Sequence, residues 1–139
     1  SDREADPLPF DLTPGGDGAP EEIDLRPTVR AVIAALRGGR ATGEIAAAFH
    51  GTLCHAIAAA CQRAREATGL GTVALSGGCF QNARLTLGCV ALLEADGFEV
   101  LIHRQVPPND GGVSLGQAAI AAWRLRREQE MGDVPRHSG

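Results

Sequence analysis

A strand–helix–strand unit between residues 72 and 103 constrains the fold of this chain more than any other feature. The run Thr72–Leu75 is short, apolar and β-branched, which predicts a buried strand. Leucine and valine residues at helical spacing follow it and stop at Asp96-Gly97, and residues 98–103 then alternate between two faces as a second strand does. Strands joined in this way pair in parallel through a right-handed crossover. The unit predicts an α/β fold. Because two strands alone are not stable in water, the sheet is completed by residues outside this chain, by a partner chain, or by strands that the periodicity does not reveal.

The remainder of the chain divides into an arm, helices and a tail. Its first residues are rich in proline, glycine and acidic side chains and hold few large apolar ones, which predicts a flexible arm with no element of its own. Two helices precede the strand–helix–strand unit, at about residues 24–38 and 42–69, and a last helix follows it at about 113–127. The predicted organisation is an arm at 1–23, a folded lobe at 24–130 and a tail at 131–139.

Charge and composition exclude several classes of function. A net charge of −4 and an isoelectric point near 5.5 argue against nucleic-acid binding, which needs a basic face. No apolar run approaches the roughly 20 residues that span a bilayer, and no signal peptide is recognised, so we expect a cytoplasmic protein without a membrane partner. The four cysteines form no CxxC pair, and in the cytoplasm they act as reduced, small apolar side chains.

The first of two glycine turns follows the strand at Thr72–Leu75. Ser76, Gly77 and Gly78 allow the backbone to approach a ligand closely, and Asn82 stands at the start of the next helix. Amide groups at such a junction bind phosphate or a similar anion. The alternative is a plain turn between a strand and a helix. A Walker A motif is excluded because no lysine follows the glycines.

The second glycine turn is Asn109-Asp110-Gly111-Gly112, which two prolines precede. A stiff entry, one carboxylate and two glycines before a helix suit a metal ion or a metal-bound phosphate at the sheet edge. The alternative is helix capping by Asn109 or Asp110, which needs no ligand. Since one carboxylate does not make a metal site, further ligands must come from elsewhere.

Other reactive side chains are less informative. His50, Cys54 and Cys61 share one helical face, where a metal cluster is conceivable, but apolar neighbours on that face favour packing. Cys79 lies inside the first glycine turn and has no histidine close in sequence to activate it. The remaining histidines, including His103, are interpreted as surface or strand-edge residues.

Four strings of residues together resemble one known family. They are Ala-Ala-Phe-His at 47–50, Val-Ala-Leu-Ser-Gly-Gly-Cys-Phe-Gln-Asn at 73–82, Gly-Phe-Glu-Val-Leu-Ile-His at 97–103, and the segment from Val106 to Ala118 that contains Pro-Pro-Asn-Asp-Gly-Gly. Over about residues 24–125 the chain resembles the C-terminal end of HypF, the carbamoyltransferase family of [NiFe]-hydrogenase maturation. Cys79 departs from the pattern, because HypF sequences commonly have valine there.

The resemblance implies both a fold and a chemistry. The fold is the second lobe of an ASKHA domain (actin, Hsp70 and sugar kinase type) with an RNase H-like sheet, here as an incomplete piece. The activity is conversion of carbamoyl phosphate and ATP to carbamoyl adenylate, followed by carbamoylation of the C-terminal cysteine of HypE, whose carbamoyl group becomes the cyanide ligands of the hydrogenase. The chain alone is expected to be inactive, because the other half of the site is absent from it.

The resemblance also implies roles for particular residues. Asp110 corresponds to a ligand of a divalent metal, Fe, Zn or Mg, whose other ligands lie outside this chain. The residues assigned to the nucleotide or carbamoyl group are Ser76, Gly77, Gly78, Asn82 and Gly111.

Two alternatives to a HypF-type transferase remain open at this point. A lobe of the related tRNA threonylcarbamoyl transferases, or of another ASKHA nucleotide-binding protein, shares the Ser-Gly-Gly run and the later aspartate. The tRNA-modifying enzymes, however, usually lack the Phe-Gln-Asn and Pro-Pro-Asn-Asp-Gly-Gly strings, and RNA binding predicts a basic patch. The other alternative is a non-catalytic interaction module that keeps the fold without the chemistry.

Overall fold

The fold combines a long central helix, a small parallel sheet and a β-hairpin. The computed structural model describes residues 6–15 and 21–132. In chain order its elements are β1 (Asp11–Thr13), β2 (Glu22–Asp24), α1 (Arg26–Arg37), α2 (Thr42–Thr68), β3 (Thr72–Leu75), α3 (Ala83–Ala95), β4 (Glu99–Ile102) and α4 (Val113–Gly132), with short 3₁₀ turns at Gly78–Gln81 and Asp110–Gly112.

The predicted strand–helix–strand unit is confirmed. β3 and β4 pair in parallel, with Thr72 opposite Glu99 and Leu75 opposite Ile102, and α3 makes the crossover between them. The α3 helix ends where Asp96 and Gly97 reverse the chain, with Gly97 at a φ of 78°. The carboxyl ends of both strands therefore lie at one edge of the sheet, and the loops that contain the two glycine turns begin there.

The core lies between α2, α3 and the inner face of the sheet. Its buried members are Cys54, Ala58, Leu75, Leu85, Cys89, Leu93 and Phe98. The two helices approach closely at Gly88, where a Cβ atom would lie 2.8 Å from Cys54 Sγ. A larger residue at 88 would require the Cys54 side chain or the helices to shift, so this glycine permits the close packing of α3 on α2.

The core cysteines act as packing groups, in line with the sequence interpretation. A hydrogen bond with Cys54 and burial raise the pKa of the Cys89 thiol, and burial raises the pKa of the Cys61 thiol. Both shifts keep these groups in the neutral thiol form at neutral pH. Cys54 Sγ in turn donates to the Leu85 carbonyl at 3.6 Å, which adds a polar link between α2 and α3.

The prediction that residues 1–23 contain no element is wrong. β1 and β2 form an antiparallel hairpin in which Leu12 lies opposite Ile23. Leu8 is buried, and its N–H donates to Thr52 Oγ1 at 2.7 Å. Thr28 Oγ1 donates to the Pro9 carbonyl at 2.7 Å. Hydrogen bonds with hydroxyl groups far away in sequence hold this segment in place. Local periodicity of the sequence does not reveal such bonds.

The last helix is longer than predicted. α4 continues to Gly132, beyond the expected end at residue 127, and the rest of the predicted tail at 131–139 lies outside the described residues. Apolar side chains of α4 are more than half exposed, namely Val113, Leu115, Ile120, Trp123 and Leu125. On the sheet, Leu101 is likewise half exposed. The Arg127 guanidinium lies over the Trp123 ring, 4.9 Å from its centroid, but these apolar groups remain largely exposed in the part of the chain that the structure describes.

The α2 helix is long and apolar enough to cross a membrane by length and composition, contrary to the sequence estimate. It packs against α1 on one side and α3 on the other, and its buried residues include Ala48, Thr52 and Ala56. A role as the central packing helix accounts for this composition.

Candidate functional site

The two glycine turns meet at the carboxyl edge of the sheet. The Gly77 N–H donates to the Pro108 carbonyl at 2.7 Å and joins the turn after β3 to the loop after β4. An open cleft of about 290 Å³ lies between them. Ligands of parallel α/β sheets bind at this position, beyond the carboxyl ends of adjacent strands. The residues around the cleft are Ser76, Gly77, Gly78, His103, Val106, Pro107, Pro108, Asn109, Asp110, Gly112 and Val113.

The first turn depends on the conformation of Gly77. Its φ of 104° and ψ of 159° lie in a region that glycine alone occupies readily. The chain then enters the 3₁₀ turn at Gly78–Gln81, whose Phe80 carbonyl accepts from Thr86 Oγ1 at 2.8 Å. No Cβ placed on Gly77 or Gly78 would meet a neighbour within 4 Å, so space is open above the backbone. This is the open approach that an anionic ligand needs.

The second turn is fixed by its own backbone and by Asn109. Asn109 Oδ1 accepts from the Gly111 N–H, and the Asn109 carbonyl accepts from the Gly112 N–H, both at 3.0 Å. A Cβ on Gly112 would lie 2.9 Å from the Pro107 carbonyl oxygen, so only glycine fits there. Asn109 thus performs the helix capping that the sequence suggested for Asn109 or Asp110. The Asp110 carboxylate is not needed for it.

Asp110 has no partner inside the described chain. Its side chain is exposed at the cleft, and within residues 6–15 and 21–132 it makes no hydrogen bond or ion pair. The same part of the chain holds no group of three histidine, cysteine or acidic residues able to bind a metal ion. Carboxylate oxygen is a suitable ligand for a hard divalent cation. Asp110 therefore fits a metal as a single ligand, and the remaining ligands would have to come from outside these residues.

Asn82 lies outside the cleft and forms part of the contact between α2 and α3. Its Oδ1 accepts from the Leu85 N–H at 3.2 Å, which caps α3, and its Nδ2 donates to His50 Nε2 at 3.1 Å. His50 Nδ1 donates to the Ala46 carbonyl at 2.8 Å, and this bond fixes the tautomer that leaves Nε2 as an acceptor. Both polar atoms of the Asn82 side chain are thus used within the chain, while its assignment to the nucleotide stays a prediction.

Replacing Asn82 by alanine is expected to lower the free energy of unfolding by about 1 kcal/mol, because α3 loses its N-cap. Asn82→Ser is the matched control, since serine caps well but is too short to reach His50. We expect the serine variant to retain most of that stability in urea unfolding followed by circular dichroism. If the alanine and serine variants lose equal stability, the contact with His50 rather than the cap is the stabilising element.

The structure brings together most of the predicted site residues. Ser76, Gly77, Gly78 and Asp110 line one cleft, and Gly111 lies between two residues of its wall. Cys79 is exposed on the 3₁₀ turn and is absent from the cleft wall.

Sequence reasoning missed His103 as a site residue. The structure brings it into the cleft, with Nε2 at 2.9 Å from Ser76 Oγ. No short sequence string around His103 indicates this position, which follows from the strand register: Leu75 pairs with Ile102, and the next residues are Ser76 and His103.

The chain matches the family model described as "Carbamoyltransferase, Kae1-like Domain, second subdomain" over residues 1–117. It is 41% identical over 102 residues to carbamoyltransferase HypF2 of Cupriavidus necator, covering 73% of this chain and 12% of that protein. It is 40% identical over 114 residues to HypF of Rhizobium leguminosarum bv. viciae, covering 81% of this chain and 14% of that protein.

Solved structures agree with these sequence relatives. A crystal structure of full-length HypF in the phosphate- and nucleotide-bound form aligns with a TM-score of 0.80 and 33% identity, covering 87% of this chain and 16% of that one. HypF of T. kodakarensis aligns with a TM-score of 0.65 and 28% identity, covering 89% of this chain and 15% of that one. This chain thus spans about 12–16% of the length of these relatives.

The fold and these comparisons together identify this chain as the second subdomain of a Kae1-like carbamoyltransferase domain. The predicted α/β second lobe is confirmed. The chain belongs to the HypF carbamoyltransferase family.

Proposed function

We propose that this chain forms one half of the carbamoyl-transfer site of a HypF-type enzyme. The full reaction uses carbamoyl phosphate and ATP, passes through carbamoyl adenylate, and ends on the C-terminal cysteine thiol of a HypE-like protein in the cytoplasm. The single observation that carries the proposal is the cleft where the open backbone at Gly77-Gly78 faces the second turn and the Asp110 carboxylate, which has no partner among the described residues. The nucleotide- and phosphate-bound state of the full-length HypF neighbour supports this assignment.

The residues of this cleft suit an acyl-phosphate anhydride. The Gly77 N–H already donates to the Pro108 carbonyl, so the amide that a phosphate would meet on this open backbone is that of Gly78, where no bulky side chain is in the way. The phosphate of an adenylate and the Asp110 carboxylate repel each other unless a cation lies between them. A divalent metal bound by Asp110 and by ligands from outside this chain would stabilise the negative charge that develops on the phosphate and the carbonyl oxygen.

The uncovered apolar groups support a site shared with another part of the polypeptide. A two-stranded parallel sheet with half-exposed Leu101 is not stable alone, and α4 exposes Ile120 and Trp123. We propose that the preceding lobe of the same protein covers these groups and completes the sheet, with self-association of the chain as the substitute when that lobe is absent.

A hybrid enzyme tests the proposed function. This chain replaces the matching segment of the Rhizobium leguminosarum HypF, and the hybrid is supplied with carbamoyl phosphate, ATP and a HypE-like acceptor. We expect carbamoylation of the acceptor's C-terminal cysteine, detected by intact-mass spectrometry, and no carbamoylation by the 139-residue chain alone. A folded hybrid that forms carbamoyl adenylate but never modifies the acceptor contradicts the proposal, as does activity of the isolated chain.

A further inference from the structure

His103 and Ser76 form a hydrogen-bonded pair at the edge of the cleft. His103 follows β4 directly and Ser76 follows β3, and the parallel register of the strands brings His103 Nε2 to 2.9 Å from Ser76 Oγ. Within residues 6–15 and 21–132, the second ring nitrogen, Nδ1, has no hydrogen-bond partner. In a neutral imidazole one nitrogen carries the proton and the other a lone pair. If Ser76 Oγ accepts from Nε2–H, the lone pair lies on the unpartnered Nδ1.

The proposed reaction needs a proton acceptor at this place. A thiol attacks an acyl phosphate as the thiolate, so its proton has to leave before or during the attack. The turn after β3 contributes Ser76, Gly77 and Gly78 to the cleft, none of which is charged or titrates near neutral pH. On the β4 side, the titratable residues of the cleft wall are His103 and Asp110.

Of these two groups, His103 is the better base. A carboxylate that neutralises a cation is a poor proton acceptor, whereas a neutral imidazole nitrogen is the side-chain atom that most often accepts a proton in general base catalysis.

We propose that His103 is the general base for transfer of the carbamoyl group to the acceptor thiol, and that Ser76 is its positioning residue. This inference rests on the proposed function. His103 Nδ1 takes the thiol proton while the sulfur forms a bond to the carbamoyl carbon. The bond from that carbon to the adenylate oxygen breaks, and AMP leaves with the electron pair. The products are the S-carbamoyl cysteine, AMP and an imidazolium that releases its proton to solvent.

The test uses the hybrid enzyme with His103→Gln, whose amide nitrogen can keep a hydrogen bond to Ser76. We expect the rate of carbamoyl transfer at pH 7 to fall about 10²- to 10⁴-fold. The deficit is expected to shrink steadily as the pH rises toward 9, because the thiolate then forms without a base. Formation of carbamoyl adenylate, measured as carbamoyl phosphate-dependent exchange of pyrophosphate into ATP, is expected to stay unchanged.

Two further variants separate the proposed roles. His55→Gln makes the same change at an exposed position of α2 and is expected to leave transfer unchanged at every pH. Ser76→Ala keeps the imidazole but loses its orientation, so a smaller loss with the pH dependence of the unmodified hybrid is expected.

Several outcomes would overturn the inference. Full transfer activity of His103→Gln at pH 7 excludes a general base at this position. A deficit that is constant from pH 6 to 9 and appears in KM alone identifies His103 as a group that binds the substrate. An unmodified hybrid that makes carbamoyl adenylate but transfers nothing overturns the proposed function and this inference together, whereas an active hybrid with an unaffected His103→Gln variant overturns the inference alone.

Discussion

Replacing Asp110 by asparagine is expected to reduce carbamoyl transfer by the hybrid enzyme about 10²-fold or more. The substitution preserves size and keeps one oxygen, but it removes the negative charge that would hold a divalent cation against the substrate phosphate. Since Asp110 makes no hydrogen bond or ion pair within the described residues, the fold loses little, and stability is expected to change by no more than about 0.5 kcal/mol.

Asp96→Asn is the matched control for this experiment. Asp96 is an exposed residue at the end of α3, where its Oδ2 accepts from Gln62 Nε2, and it is not part of the cleft wall. We expect this control to keep full transfer activity. Metal content of the hybrids, measured by plasma mass spectrometry, is expected to fall with Asp110→Asn and not with Asp96→Asn. Unchanged activity and metal content in the Asp110 variant would refute the assignment.

The strand–helix–strand unit could be predicted because its signals are local. Thr72–Leu75 is a compact apolar run, and Asp96-Gly97 ends a helix. The spacing of the apolar residues and the turn residues between them therefore suffice to place β3, α3 and β4 within a residue or two. The α2 helix is equally evident, since its stripe of apolar residues and the left-handed Gly69 mark its extent.

The N-terminal hairpin could not be predicted by the same reasoning. Its strands are only three residues long, and its proline-rich, acidic surroundings are typical of a linker. The bond from the Leu8 N–H to Thr52 spans 44 residues, and the bond from Thr28 to the Pro9 carbonyl spans 19. Such contacts depend on the tertiary arrangement of α1 and α2, which periodicity does not contain.

The candidate site shows the same division between local and long-range information. The two glycine turns and Asp110 are visible as short strings, and the parallel sheet brings them to one edge. The pairs Asn82–His50 and Ser76–His103, in contrast, join residues 32 and 27 positions apart. The first needs the packing of α3 on α2, and the second needs the exact register of β3 on β4. His103 therefore had no local signal of function, although its partner Ser76 did.

Gly77→Ala is expected to lower the free energy of unfolding of the chain by about 2–4 kcal/mol. A φ of 104° with a ψ of 159° strains any residue with a Cβ by about 1–3 kcal/mol. Relief of that strain rotates the Gly77 N–H away from the Pro108 carbonyl, and the lost hydrogen bond adds about 1 kcal/mol. Because this bond joins the two turns, the variant is also expected to lose carbamoyl transfer in the hybrid.

Gly78→Ala is the control that isolates the backbone conformation of Gly77 from the added methyl group. The two glycines are neighbours in the same cleft, and a Cβ on either meets no atom within 4 Å, but only Gly77 has a positive φ. Urea unfolding should therefore find Gly78→Ala within about 0.5 kcal/mol of the unmodified chain. Equal stability of both variants would mean that the turn relaxes without cost and that Gly77 does not hold the two loops together. If Gly78→Ala is stable but lacks transfer activity, the methyl group blocks the ligand itself, and the backbone at this glycine then lies against the bound phosphate.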